Sequence, residues 1–389
     1  MSDQLAYVII TPYSLYKSRT GGILTRLLTR TGLDLVAARM FAPSQTLVDQ
    51  YADQIVSAAD PQDRRIQELI QSYIRTNFAP ESGGRRRRVM VLLFRGEDAV
   101  RKLRSVIGGF SLSRRGGETI RDTYGDLVTN ENGEVRYFEP AVLAAPNVEE
   151  METKLKLWTR ASDTEGGLLD DVIAYQPGEQ PQRTLVLIKP ENFRFPTGRP
   201  GNMLDLFSRT GLYIVGIKVH RMSTAQAVEF YGPVKDFLRT KLKDMVAGKA
   251  RTLLEKELGF SIPPEAERQL GDVLGPLFGD NQFDNIVRFM SGRSAGECPA
   301  DQFSQPGSEK TIAIVYEGVD AVRKIRDVLG PTDPSKAPPG SIRREFGSNV
   351  MVNAAHASDS TENAKREMGI INISEDNFRT VVETQLGKC

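Results

Sequence analysis

The sequence predicts an α+β protein made of two similar halves, each an antiparallel sheet with helices packed on it. Short segments of alternating apolar and polar residues, typical of half-buried strands, are interspersed with amphipathic helical segments. The order of these segments repeats once along the 389 residues. Hydrophobic residues make up 40% of the chain and charged residues 26%, a balance that can bury a core and excludes wholesale disorder.

The first block of the repeat is a helix, a Thr-Gly stop and a strand. It starts at Ser18 and again at Thr197, and an apolar strand precedes each copy. Gly32 and Gly211 follow the two helices, where a left-handed backbone is expected to end them.

The second block is more similar still, with VMVLLFRGEDAVRKLRSVIGG in one half and IAIVYEGVDAVRKIRDVLGP in the other. Gly96 and Gly318 are 222 residues apart, whereas the first block repeats at 179, so the second half carries a net insertion of 43 residues. Each half follows the order strand, helix, strand, helical region, strand, helix. This order predicts two ferredoxin-like (βαββαβ) domains in tandem.

The domain boundaries follow from composition. We expect a first domain over 1–160, a linker over 161–182 that is rich in Gly, Pro and acidic residues, and a second domain over 183–389. The insertion is placed at about 237–281 as a helical hairpin. It has many Lys and Glu residues at i,i+4 spacing, and Pro264 suits the first turn of a new helix.

Charge and composition exclude several functional classes. A net charge of +1 argues against a domain that coats nucleic acid or an anionic membrane, and no apolar run reaches the roughly 18–20 residues that span a bilayer. The N-terminus does not resemble a signal peptide. Two cysteines exclude a disulfide framework or a cysteine zinc site, and they predict a cytoplasmic protein. The run Arg85–Arg88 fits a solvated segment better than an anion-binding or nucleic-acid patch.

Most of residues 183–378 resembles the nucleoside diphosphate kinase family. The segments that carry the resemblance are Ile188-Lys189-Pro190, EFYGPVKD with Tyr231, Tyr316-Glu317-Gly318, LGPTDPSKAPPGSIRREFG from Leu329, and Asn353-Ala354-Ala355-His356-Ala357-Ser358-Asp359-Ser360. The last matches a family signature of the form N-x-x-H-G/A-S-D-S. Each segment alone is weak, but together and in order they are highly specific.

The resemblance implies an enzyme that moves the γ-phosphoryl of a nucleoside triphosphate to a histidine and then to a nucleoside diphosphate. His356 stands at the nucleophile position, Glu367 matches the carboxylate that holds its ring, and Ser358 matches the hydroxyl beside that carboxylate. A neutral imidazole can act as nucleophile, and phosphoryl transfer depends chiefly on positioning and charge. The residues that the resemblance assigns to catalysis or nucleotide binding are Lys189, Tyr231, Arg326, Thr332, Arg343, Val350 and Asn353.

The implied partners are ATP and other nucleoside di- and triphosphates. Mg²⁺ is expected to be carried by the nucleotide phosphates, with no protein metal ligands and no specific nucleic-acid or membrane partner. The family usually clamps the base with a phenylalanine, and that position falls here near Gln282 or Phe283. The alternative function is a nucleotide-binding regulatory or scaffold protein with weak or no kinase activity.

The first half is expected to be a degenerate copy. It has no histidine, Thr11 replaces Lys189, and either Glu134 or Ala144 faces the position of His356. It keeps Arg104 and Arg121, as a residual anion pocket or as surface charges. We predict that this half is a catalytically dead scaffold that pairs with the second half as an in-chain pseudo-dimer. The family's joining loop, here 331–340, has a divergent counterpart at 110–117, which favours pairing within the chain over higher homo-oligomers.

Overall fold

The computed structural model describes residues 3–110 and 117–389, so that most of the loop 110–117 lies outside the described residues. The chain divides into two compact units. The first comprises Met1–Val219 and Ile312–Cys389 and holds two four-stranded sheets. The second, His220–Thr311, is mainly helical.

The first half of the chain contains six strands and eight α-helices within its described residues. The strands are β1 (Asp3–Ile10), β2 (Asp34–Phe41), β3 (Val89–Glu97), β4 (Asp126–Thr129), β5 (Val135–Glu139) and β6 (Val142–Leu143). The helices are α1 (Pro12–Tyr16), α2 (Thr20–Thr31), α3 (Gln45–Asp53), α4 (Arg64–Asn77), α5 (Ala99–Ile107), α6 (Ile120–Tyr124), α7 (Val148–Arg160) and α8 (Ser162–Glu165).

The rest of the chain, all of which is described, follows the same order. The strands are β7 (Pro181–Ile188), β8 (Tyr213–His220), β9 (Thr311–Val319) and β10 (Ala355–Ala357). The helices are α9 (Arg199–Ser208), α10 (Thr224–Lys241), α11 (Lys243–Leu258), α12 (Pro264–Ser291), α13 (Ala321–Leu329), α14 (Ile342–Phe346), α15 (Thr361–Ile370) and α16 (Asn377–Leu386).

The two sheets have the same topology. Their strand orders are β2-β3-β1-β6 and β10-β7-β9-β8, with β1 antiparallel to β3 and β6, and β7 antiparallel to β9 and β10. This is the strand order of the ferredoxin-like fold, so the predicted fold class is confirmed. The central strands are buried because helices cover them, and Ile10 and Ile188 occupy equivalent registers opposite β3 and β9.

The glycine stops have the expected backbone. Gly32 ends α2 with φ +64°, and Gly211 has φ +69°. Helix α9 nevertheless ends at Ser208, three residues before its glycine. The first half also contains an element without a counterpart in the second half, the hairpin of β4 and β5.

Helices α2 and α9 of the two halves pack closely within the first unit. Their contact is made at Gly21 and Gly201, where a Cβ on Gly21 would lie 2.5 Å from the carbonyl oxygen of Gly201. The hydroxyl of Thr25 donates to the carbonyl of Gly198 at 3.2 Å. Glycines therefore allow these two helix backbones to approach one another.

A second junction between the halves is polar and aromatic. The buried Arg39 donates to the carbonyls of Ser162 and Glu375, each at 3.1 Å. The rings of Phe41 and Phe378 meet edge to face with centroids 5.7 Å apart. Because a buried arginine and two aromatic rings bridge the halves, this junction is well packed as well as hydrogen-bonded.

The second unit is built around α12, against which α10 and α11 pack. Helix α10 gives way to α11 at Leu242, and Pro264 is the first residue of α12, as expected. The segment 237–281 thus begins inside α10 and ends inside α12, and its status as an insertion stays a prediction. Across residues 3–110 and 117–389, no helix is both long and apolar enough to span a bilayer.

Candidate active site

His356 and Glu367 form the chemical centre of the site. Strand β10 pairs with β7 so that His356 lies opposite Leu187. Its Nε2 is 3.0 Å from Oε2 of Glu367, and the Ser358 hydroxyl donates to the same oxygen at 2.6 Å. The side chain of Glu367 is 6% exposed and that of His356 is 23% exposed. A carboxylate that accepts the Nε2 proton leaves the lone pair on Nδ1, which is therefore the candidate nucleophile.

The helix that follows β10 brings the carboxylate to the ring. Ser360 caps α15 by accepting the backbone N–H of Asn363 at 3.0 Å, as its sequence position predicts. Glu367 lies in the second half of this helix and turns inward, where Ser358 is fully buried. The cap thus fixes where α15 begins and so which residue reaches His356.

Ala354 and Glu191 set the backbone before the histidine. Ala354 has φ +73°, a left-handed conformation that is uncommon for a residue with a Cβ. Its N–H donates to Oε1 of Glu191 at 2.9 Å, and its carbonyl accepts the N–H of Lys189 at 3.0 Å. Sequence analysis missed Glu191. Its place directly after Lys189-Pro190 was the available signal.

Lys189 lies in a polar network with the segment before His356. Its Nζ donates to Oδ1 of Asn353 at 3.0 Å and to the carbonyl of Met351. The amide of Asn353 donates in turn to the carbonyls of Thr332 at 3.0 Å and Val350 at 2.9 Å. Burial lowers the pKa of Lys189 to about 8. The nearby Arg343 also lowers it, and the Glu191 carboxylate opposes the shift.

Arg343 binds the backbone of β10, the strand that contains His356. It donates to the carbonyls of Gly330 at 3.0 Å and Ala355 at 3.2 Å. Its guanidinium therefore lies beside the backbone of the residue that precedes His356. Arg326 is exposed in the last turn of α13, a helix that packs against β10. Thr332 and Val350 are exposed on the adjoining loops, Val350 to 59%. Cations and hydrogen-bond donors of this kind suit a polyphosphate.

Three expected residues belong to the second unit. Tyr231 is half-buried in α10, with its ring 5.0 Å from that of Phe230. Phe283 is buried in α12, where Lys235 lies over its ring, and Gln282 is half-buried. The functional roles given to these residues stay predictions.

In the sheet of the first half, Leu143 occupies the position that His356 occupies in the sheet of the second half. Leu143 pairs with Ile9 on β1, as His356 pairs with Leu187 on β7. Our expectation of Glu134 or Ala144 at this position is therefore wrong. Glu134 lies in the turn of the β4–β5 hairpin, which absorbs the additional residues of the first half.

The surroundings of that position differ from those of His356 as well. Ala141 is left-handed with φ +61°, and its N–H donates to Oε1 of Glu139 at 2.9 Å, much as Ala354 donates to Glu191. Thr11 donates its hydroxyl to the same oxygen at 2.9 Å. Burial raises the pKa of Glu139. In the first half, the buried carboxylate of Glu139 thus lies beside Thr11, whose counterpart in the second half is Lys189.

The residues that would correspond to Glu367 and Ser360 are also informative. Asn147 caps α7 as Ser360 caps α15, and at the same spacing Lys154 takes the place of Glu367. Lys154 is buried and forms an ion pair with Glu150. A cation at this position is unable to accept a proton from an imidazole.

Arg121 repeats the backbone contacts of Arg343. It donates to the carbonyls of Gly108 at 2.9 Å and Val142 at 3.4 Å, and it lies over the Phe110 ring at 4.2 Å. Burial and the nearby Arg104 lower the pKa of Arg121. Arg121 is therefore half-buried and bound to the backbone, so our interpretation of it as a surface charge is wrong.

Comparisons with known proteins point to one family. A model of the nucleoside diphosphate kinase family matches residues 301–376. The nucleoside diphosphate kinase of Campylobacter hominis is 29% identical over 187 residues, which are 48% of this chain and 92% of its own. That of an Anaeromyxobacter species is 30% identical over 187 residues, 48% of this chain and 86% of its own. The solved structure of the Aquifex aeolicus enzyme aligns at 28% identity over 49% of this chain and 95% of its own, with a TM-score of 0.30. The fold assignment above rests on the strand order of this chain alone.

Proposed function

Because the chain belongs to the nucleoside diphosphate kinase family, we propose that it transfers the γ-phosphoryl of a nucleoside triphosphate to a nucleoside diphosphate through a phosphohistidine on His356. The observation that carries the proposal is the triad of His356, Glu367 and Ser358. One half-exposed imidazole is held by a buried carboxylate, which is itself held by a buried hydroxyl.

The transfer requires one bond to form and one to break in each half-reaction. The Nδ1 lone pair of His356 attacks the γ-phosphorus, and the bond to the oxygen that bridges the β- and γ-phosphates breaks. The nucleoside diphosphate leaves with that electron pair. The ring keeps its Nε2 proton, and Glu367 balances the positive charge of the phosphorylated ring. A second nucleoside diphosphate then takes the phosphoryl group by the reverse steps.

Charge on the transferred group is balanced by fixed cations. We assign Lys189, Arg343 and Arg326 to the phosphates, because preorganised donors stabilise charge that develops in the transition state. Asn353 and Lys189 are assigned to the ribose, Thr332 to a phosphate and Val350 to one face of the base. Tyr231 is retained as a catalytic-site residue from the family motif alone.

Mg²⁺ is assigned to the nucleotide rather than to the protein. Glu367 is engaged by His356 and Ser358, and Glu191 is engaged by Ala354. This donor set does not fit a protein metal site, and the described residues contain no cluster of three or more metal-ligating side chains.

We propose that the first half is a degenerate scaffold domain over 1–160, joined by the linker 161–182 to a catalytic domain over 183–389. Leu143 and Lys154 at the positions of His356 and Glu367 support the loss of chemistry. The close contacts at Gly21 and Arg39 support an in-chain pseudo-dimer. Higher homo-oligomers and a cytoplasmic location, consistent with free thiols at both described cysteines, belong to the same proposal.

A coupled assay of ATP with several nucleoside diphosphates tests the function. The wild-type chain should show ping-pong kinetics, and His356→Ala should lose essentially all transfer while remaining folded. Arg326→Ala should lose about 10²–10³-fold in rate, as expected for one preorganised donor. Arg323→Ala, an exposed arginine on the same helix, is the matched control and should stay near wild type. Full activity of His356→Ala would exclude the mechanism. A folded wild-type chain that binds nucleotide without transfer would favour a regulatory role.

A further inference from the structure

The run Arg85–Arg88 takes no part in the proposed transfer, yet it lines a groove of about 410 Å³. We call this the arginine groove. Tyr13 and Tyr16 of α1 form part of its wall, and Tyr213 of β8 another part. The groove lies within the first unit and shares no lining residue with the candidate active site. Its volume is in the range of ligand-binding cavities, roughly 300–1,000 Å³.

Three of the four arginines of the groove are held in place by backbone carbonyls. Arg87 donates to the carbonyl of Thr76 at 2.7 Å, and Arg86 to that of Ala42 at 3.3 Å. Arg88 donates to the carbonyl of Ile214. A guanidinium has five N–H donors, so each of these bonds orients the group and leaves other donors for a ligand. Fixed guanidinium groups bind phosphate oxygens in pairs.

The charge balance within the groove favours an anion. Among its described lining residues, Glu81 is the one acid, and it pairs with Arg85 at 3.2 Å. Four guanidinium groups against one carboxylate therefore leave the groove with a net positive charge.

Exposed aromatic rings accompany these cations. Tyr16 is 68% exposed, so its ring is accessible to a ligand. The ammonium of Lys17 lies 5.7 Å from the centre of the Tyr16 ring and 5.6 Å from that of Tyr13. Arginines beside a ring on which a base can stack form the combination that binds nucleotides. An inorganic anion would make no stacking contact with the ring.

We propose that the arginine groove is a second nucleotide site, which binds a nucleoside di- or triphosphate with its phosphates on Arg85 and Arg87 and its base on Tyr16. The half of the chain that lacks the catalytic histidine would thus keep a nucleotide-binding role at a different place. Binding at this site does not depend on phosphoryl transfer at His356.

Equilibrium dialysis of the full chain with labelled ADP tests the site, because ADP has no γ-phosphoryl to transfer. Two ADP molecules should bind per wild-type chain. The double variant R85S/R87S should weaken one of these sites by about 10-fold or more, since each charge-assisted contact is worth at least that much. The control R64S/R101S removes two exposed arginines elsewhere and should change neither site. Asn353→Ala should weaken the other site only.

The outcomes separate this proposal from the proposed function. One wild-type site that R85S/R87S abolishes would support the groove even if the His356 site binds nothing. Unchanged binding in R85S/R87S would overturn the groove proposal whatever the assay of transfer gives, as would equal weakening in the control.

A second variant keeps the test valid if the arginine variants do not fold. Tyr16→Ser alters an exposed ring, and it should weaken ADP several-fold while leaving tripolyphosphate binding unchanged. Tyr16→Phe should restore ADP binding. Equal effects of Tyr16→Ser on both ligands, or a single-stranded oligonucleotide that binds more tightly than ADP, would overturn the assignment to a mononucleotide.

Discussion

The close approach of α2 and α9 predicts how the stability of the chain responds to a methyl group added at Gly21 or Gly201. Gly21 of α2 faces α9, and a Cβ at this position would lie 2.5 Å from both the amide nitrogen of Asp205 and the carbonyl oxygen of Gly201. A Cβ on Gly201 would lie 2.5 Å from the amide nitrogen of Thr25. These neighbours are backbone atoms, which are unable to rotate aside as a side chain does. We therefore predict that Gly21→Ala and Gly201→Ala destabilise the protein.

The size of the effect follows from the distances. Ordinary contact begins near 3.4 Å, so the two helices must separate by about 0.9 Å. Overpacking of this kind costs about 1–3 kcal/mol, and the better helix propensity of alanine returns at most about 1 kcal/mol. The net loss in the free energy of unfolding should be about 1–2 kcal/mol for each variant. The double variant should cost less than the sum of the two, because the first substitution already separates the helices.

Urea denaturation followed by Trp158 fluorescence measures this effect. Trp158 is the one tryptophan of the chain and is buried against Phe41, whose other neighbour is Phe378 of the second half. Both variants should lower the unfolding midpoint without changing the slope. Gly369→Ala is the matched control, because its Cβ would meet no atom within 4 Å in α15, and it should be neutral or stabilising by up to about 1 kcal/mol. Midpoints of Gly21→Ala and Gly201→Ala at or above wild type would refute the close packing.

Three further predictions concern the site and its counterpart. Glu367→Gln should lower kcat about 10²-fold with little change in KM, because the His356 ring loses its orienting carboxylate. A change in KM alone in steady-state kinetics would contradict this. The kcat/KM profile should fall above about pH 8, since the buried Lys189 loses its proton there rather than near 10.5, and Glu191→Gln should move this limb to lower pH by removing a charge that favours the ammonium. A profile that stays flat to pH 10 would exclude a required Lys189 ammonium. Arg121→Gln should destabilise the chain by about 1–3 kcal/mol in urea, since it leaves backbone carbonyls without a donor, while transfer by the folded protein persists.

Much of the fold could be predicted because both the hydrophobic periodicity and the residue spacing of the first half recur in the second half. The alternating strands and the shared offsets of Gly96 and Arg121 predict two sheets of the same architecture, and the structure has two sheets with the same strand order. The β4–β5 hairpin could not be predicted in the same way. Its short segments are half-exposed, so hydrophobic alternation is weak there. The misplaced gap that resulted is why Leu143 was missed at the register of His356.

The grouping of His356, Ser358 and Glu367 could be predicted from sequence because the three residues lie within one short segment and the following helix. Glu191 was not predicted, although it directly follows Lys189-Pro190. Its partner is the left-handed backbone of Ala354, and residue type gives no sign of positive φ at an alanine. Arg121 presents a similar difficulty. A retained arginine suggests a ligand, whereas the structure shows two backbone carbonyls as its partners. Contacts between side chains and distant backbone groups therefore remain the part that sequence patterns do not specify.

Labelling of the full chain with [γ-³²P]ATP examines the phosphohistidine itself. We expect one acid-labile, base-stable phosphoryl group per chain, located on His356, released fully to an added nucleoside diphosphate and lost in His356→Ala. The first half should take up none, since it has no histidine. A wild-type chain that takes up no label, or a His356→Ala chain that is labelled as well as wild type, would contradict transfer through this residue.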